Sequence, residues 1–196
     1  VETVTPKTEK KETALAETES SAQPLAETRP DLLGHLPYES APKDTLTSIT
    51  ADGRIQLRTP AAKAFIQMQN EARRDGVLLV PLSGFRSVTH QEKLFFGVKA
   101  QRRQRTTERA EVSAPPGYSE HHTGYAIDIG DAKAPATHVE ESFGETEAFA
   151  WLEKNAARYS FELSFPENNA QGISYEPWHW RYVGNQESLE IFYKNQ

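Results

Sequence analysis

The chain has 196 residues, enough for one compact domain with a full core, and 10% aromatic residues supply large side chains to fill it. A formal net charge of -6 at pH 7 argues against nucleic acid as a partner, because a phosphate backbone needs a basic face. With no cysteine there are no disulfides or thiolate ligands, so any metal falls to His, Asp or Glu, and no apolar run approaches the roughly 20 residues of a bilayer-spanning segment.

Residues 1 to 30 are rich in Thr, Glu, Lys, Ala, Ser and Pro and hold no aromatic side chain. They cannot bury enough apolar surface to offset ordering, and a disordered tether is expected there, with one folded domain over 31–196. The chain opens on valine, which points to a missing upstream segment, either a removed signal peptide or anchor or a shortened chain. A short apolar arm runs from Leu32 to Tyr38, and Asp52-Gly53 marks a turn between two extended pieces. Thr59 as cap, with Pro60 at the first helical position, predicts a helix carrying Phe65, Met68 and Ala72 on one face and closed by Gly76. Val77 to Val80 reads as a buried strand leading into a loop, Ser83 to Ser87. Thr89 and Glu92 resemble a capping box for a helix through Leu94, Phe95 and Val98, with a charged continuation from Lys99 to Arg109 that reads as a solvated face.

Beyond the rigid turn Pro115-Pro116-Gly117, residues 123–130 alternate, with Tyr125, Ile127 and Ile129 on one side and Ala126 and Asp128 on the other, unburied side. Thr146 caps a helix carrying Phe149, Leu152, Ala156 and Tyr159, and Phe161 to Phe165 reads as a short strand. Trp178, Trp180 and Tyr182 alternate with His179, Arg181 and Val183 and form a core face. Asn185 then starts a terminal helix with Leu189, Ile191 and Phe192. Strands and helices without regular alternation predict an α+β domain on a mainly antiparallel central sheet flanked by helices.

Two segments carry chemistry. Ser119-Glu-His-His-Thr-Gly-Tyr-Ala-Ile-Asp128 and Glu176-Pro-Trp-His179 together offer two imidazoles, one aspartate and a spare glutamate. His121, Asp128 and His179 suit a tetrahedral zinc ion that keeps one position open for water. The same ligand types form the facial triad of non-haem iron oxygenases, but Glu176 beside the metal favours hydrolysis, which needs a proton acceptor. His122 adjoins His121 and is expected behind the site or at the surface, while His35, His90 and His138 lack an acidic partner at useful spacing and read as structural or solvated.

These residues resemble the D-alanyl-D-alanine carboxypeptidase (VanY-like) branch of the LAS zinc metallopeptidases. The family pattern SxHxxGxAxD is met by Ser119, His121, Gly124, Ala126 and Asp128, and ExxH by Glu176 and His179; the resemblance covers about residues 32–194. It implies the hedgehog/D-Ala-D-Ala peptidase type of fold, zinc held by His121, Asp128 and His179, and Glu176 as catalytic base. Arg86 matches the arginine that reaches the substrate carbonyl or its oxyanion, and Ser119 and Gln91 match positions that hold the peptide. The implied protein is a metallocarboxypeptidase removing the terminal D-alanine from peptidoglycan stem peptides, monomeric and outside the cytoplasmic membrane in the cell envelope. An L,D-carboxypeptidase trimming tetrapeptide stems uses the same machinery, and a wall-binding module with a decayed site is a third reading.

Overall fold

The computed structural model describes residues 33–102 and 113–194. The expected tether lies outside them, as do residues 103–109 of the charged stretch. Two short strands, β1 (Leu46–Ser48) and β2 (Gln56–Arg58), form the antiparallel hairpin that the Asp52-Gly53 turn predicts, with Gly53 at φ 72°. Helix α1 (Thr59–Arg74) follows directly. Thr59 is its first helical residue and not its cap: the Thr59 hydroxyl sits 2.8 Å from that of Thr47, tying the helix to β1. Ala61, Ala62, Phe65, Met68 and Ala72 are buried, and Gly76 closes the helix at φ 80°.

Strand β3 (Leu79–Ser83) begins later than the expected run from Val77, and only Leu79 in it is buried. The Val77 N–H is already spent on the helix exit, donating to the Ala72 carbonyl at 2.8 Å, so strand pairing starts at Leu79 opposite Asp131. Helix α2 (Val88–Arg102) is capped by Ser87, whose hydroxyl accepts from the His90 N–H at 3.2 Å. The Thr89–Glu92 box is therefore not the start signal. Gln91 and Phe95, one turn apart, are buried, whereas Leu94 is 37% exposed.

The main sheet has the order β3-β4-β6-β5, with β4 (Ala126–Asp131), β5 (Phe161–Leu163) and β6 (His179–Tyr182) all paired antiparallel. Helix α3 (Glu147–Asn155) is capped by Thr146, and α4 (Gln186–Tyr193) by Asn185 in a reciprocal box with Ser188. Against one sheet face, Phe65 and Met68 of α1 and Phe149 and Leu152 of α3 pack on Ile127, Ile129, Trp180 and Phe161. The other face holds Asp128, His179 and Arg181, and the segment Ser119–Thr123 covers it, all five residues buried. Every residue of β4 is buried, so Asp128 does not stand on an open side as the alternation suggests; a polar layer encloses it. This is the expected α+β architecture.

Phe65 is fully buried and meets Phe161 edge to face. Phe65→Ala is expected to lower stability by about 3–5 kcal/mol in denaturant unfolding of the metal-free protein.

Candidate metal centre and active site

Register brings the first two candidate ligands together. Asp128 of β4 lies directly opposite His179 of β6, and facing residues in an antiparallel pair share a side of the sheet. The His179 Nδ1 is 2.9 Å from Asp128 Oδ1. His121 arrives from a short turn, Glu120–Thr123, capped by the Ser119 hydroxyl, which accepts from the His121 N–H at 3.3 Å. The turn ends at Gly124 with φ 71°, where a Cβ would lie 3.0 Å from the Arg58 side chain, so glycine is needed there. His121 Nε2 then stands 3.2 Å from Asp128 Oδ2.

One ligand atom from each of His121, Asp128 and His179 lies within 4.8 Å of the others, and all three residues are buried. This set can hold a metal ion. The fit is chemical as well as spatial: His121 Nδ1 is 2.8 Å from the Gly84 carbonyl oxygen, to which it donates, leaving Nε2 free to ligate. Gly84 admits no side chain, because a Cβ would come 2.5 Å from the Gln56 carbonyl oxygen.

Glu176 joins the cluster through the turn that precedes β6, in which the His179 N–H bonds to the Glu176 carbonyl at 3.0 Å. Its Oε2 is 4.0 Å from His179 Nδ1. Arg86 reaches the same point, with a terminal nitrogen 3.9 Å from Asp128 Oδ2, and its fork is held by Gln91 Oε1 and Ser83 Oγ, each at 2.8 Å. Gln91 is itself tied to the Ala114 carbonyl at 2.5 Å, so its amide braces Arg86. These groups line a cavity of about 230 Å³, walled by Leu94, Val139, Phe165 and Trp178 and also bordered by Ser119 and Gln91.

The family model described as VanY, D-alanyl-D-alanine carboxypeptidase, matches residues 54–185. The chain belongs to this family. It is 36% identical over 137 residues to the putative carboxypeptidase YodJ of Bacillus subtilis (strain 168), covering 69% of this chain and 49% of YodJ. The chain thus spans about half the length of that curated relative. Among solved structures it resembles the LdcB LD-carboxypeptidase, with TM-score 0.65 and 32% identity over 82% of this chain and 78% of that one. It also resembles a vancomycin-resistance D,D-pentapeptidase VanY in complex with Zn(II), with TM-score 0.59 and 25% identity over 81% and 86% of the two chains.

In this VanY-family chain the other histidines behave as expected from sequence. His122 is wholly buried behind the site, bridging the Arg86 carbonyl at 2.6 Å and the Gly117 N–H at 3.1 Å, and His138 binds the Asp131 carbonyl. His90 is exposed, and His35 is buried at the cavity wall. Trp180 and Tyr182 are core, but Trp178 is half-buried and lines the cavity. Sequence reasoning missed Glu120. This residue is 3% exposed, and its carboxylate lies against His179 Nε2 at 3.0 Å while accepting from Arg181 at 2.9 Å and Ser164 at 2.6 Å. The one available signal was an acid wedged between the capping serine and the first ligand.

Burial alone would push the His179 pKa down, but hydrogen bonds to Asp128 and Glu120 raise it to about 10 in the metal-free chain. Burial would raise Asp128, yet the two imidazoles hold it well below the usual carboxylate range. Burial raises Glu176 to about 7, helped by the Asp128 and Glu120 charges and opposed by His179 and Arg86. Since metal must displace a proton that His179 keeps until about pH 10, affinity should strengthen with pH. Zinc titrations are expected to show roughly tenfold tighter binding per unit between about pH 6 and 8, and His179→Ala should remove the high-affinity site.

Proposed function

We propose that this domain is a zinc-dependent D,D-carboxypeptidase that hydrolyses the C-terminal D-Ala-D-Ala bond of peptidoglycan stem peptides, working outside the cytoplasmic membrane as a single-chain domain. The observation that carries the reading is the Glu176 carboxylate at the rim of the His121–Asp128–His179 triangle, 4.0 Å from His179 Nδ1 inside the cavity. A pure binding module has no use for a proton acceptor there.

His121, Asp128 and His179 would hold the ion. When bound, zinc supplies a Lewis acid and lowers the pKa of water to about 7. Glu176 takes the proton of the attacking water and passes it to the leaving amine, and burial, which holds its carboxyl above the usual range, makes it a better proton acceptor than an exposed glutamate. Arg86, its guanidinium fixed by Ser83 and Gln91, donates to the oxygen of the scissile carbonyl as negative charge develops on it. In this reading Gln91 acts on the peptide through Arg86, and the Ser119 hydroxyl at the cavity edge contributes to holding the peptide end. Leu94, Val139, Phe165 and Trp178 give the cavity an apolar side against which the peptide can lie.

The likeness to LdcB favours a second reading, an L,D-carboxypeptidase that trims tetrapeptide stems with the same groups. Purified pentapeptide and tetrapeptide stems, with products weighed by mass spectrometry, separate the two: loss of one alanine from the pentapeptide alone supports the D,D reading, and loss from the tetrapeptide alone replaces it. Glu176→Ala should keep bound metal yet lose hydrolysis by roughly 10²- to 10⁴-fold, and an active variant would overturn the mechanism. The free carboxyl is proton-bound below its pKa of about 7, so kcat/KM should fall on the acid side. A nearby cation favours the ionised form and moves that limb below about pH 7.

A further inference from the structure

The two histidines of the ligand triangle turn opposite ring nitrogens toward it. His121 presents Nε2 because the Gly84 carbonyl takes its Nδ1 proton, and His179 presents Nδ1, 2.9 Å from Asp128. Among the described residues no backbone carbonyl performs the Gly84 role for His179; the group behind its Nε2 is the Glu120 carboxylate, at 3.0 Å. We infer that Glu120 is a positioning residue: its carboxylate accepts the Nε2 proton of His179 and thereby commits Nδ1 to the metal.

The partners of Glu120 leave it no other role toward that ring. Oε2 already accepts from the Ser164 hydroxyl at 2.6 Å, and Oε1 accepts from Arg181 at 2.9 Å and from the Tyr38 hydroxyl at 3.4 Å. All three are donors, and an ionised carboxylate only accepts, so the ring nitrogen facing it must carry hydrogen. Sheet geometry makes the contact possible. His179 and Arg181 are two residues apart on β6 and share a face, and Glu120 spans them from the covering segment. Arg181 is anchored in turn by Glu162 Oε1 at 2.6 Å and by the ring of Phe192, 5.0 Å away, so the carboxylate cannot drift. A buried acid with four partners that leaned on the ligand ring only by accident would not need to meet it at the nitrogen opposite the triangle.

The inference rests on the metal-centre reading above, and its test reads metal binding and not turnover. Competition with a chelator should give Glu120→Gln and Glu120→Ala roughly 10- to 100-fold weaker zinc affinity than the parent chain, with circular dichroism confirming that each is folded. A stabilising but merely structural acid would lower the melting temperature and leave the affinity of the folded fraction unchanged. Because removing a buried partner of Arg181 endangers folding, the second measurement uses the unaltered protein. Loaded with cadmium-113 and nitrogen-15, it should show metal coupling through Nε2 of His121 and Nδ1 of His179, with the His179 Nε2 proton retained. Coupling through Nε2 of His179, or folded variants whose affinity stays within twofold, would overturn the inference alone. Failure of the unaltered chain to bind zinc or cadmium would overturn it together with the metal-centre reading.

Discussion

The site depends on one cross-strand pair. Asp128 and His179 face each other because β4 and β6 pair in a single register, and that register is held from the opposite side of the sheet by the neighbouring pair, Ile127 with Trp180. A slip of one residue would drive the aspartate and the imidazole into the hydrocarbon and lift the isoleucine and tryptophan out of it. The apolar core therefore does more than hold the domain together: its packing is what makes the aspartate and the imidazole coincide. His121 and Glu176 come from the segments leading into β4 and β6, and Arg86 from the loop after β3, which pairs with β4, so all three inherit their position from the same sheet.

Burying so many ionisable groups on one face is costly unless each is answered, and here a chain of partners answers them. From Glu162 through Arg181, Glu120 and His179 to Asp128, donors and acceptors alternate without a break, and His121, whose Nδ1 donates to the Gly84 carbonyl, stands beside Asp128 with its Nε2 open. The chain explains why the carboxylates diverge in their pKa values. Asp128 and Glu120 lie between cationic or donating neighbours and are held down, whereas Glu176 has burial and two negative neighbours against it and rises to about 7. Two acids held charged and one raised towards neutrality therefore share a single pocket.

Much of this was legible in advance. The caps Thr146 and Asn185, the turn at Asp52-Gly53 and the burial of Phe65 and Met68 followed from local pattern, and the gathering of His121, Asp128, Glu176 and His179 from the two motifs and the family resemblance that they carry. The misreadings share a cause. Thr59 and Thr89 look like caps because a hydroxyl before an apolar run usually is one, but Thr59 finds Thr47 across the hairpin, and Ser87 takes the start of α2. Val77 looks like a strand residue until the helix exit claims its N–H. Glu120 was passed over because its place beside Ser119 says nothing of its partners, Ser164 and Arg181, which lie 44 and 61 residues away.

Residue chemistry and spacing by themselves determined which imidazoles and carboxylates are available to a metal, since ligand type and strand alternation are local properties. Only the folded chain decided which nitrogen of each imidazole points inward, which acid lies behind His179, and that the face carrying Asp128 is closed. Those outcomes depend on segments distant in sequence meeting across a sheet, and no window along the chain contains both sides of such a contact.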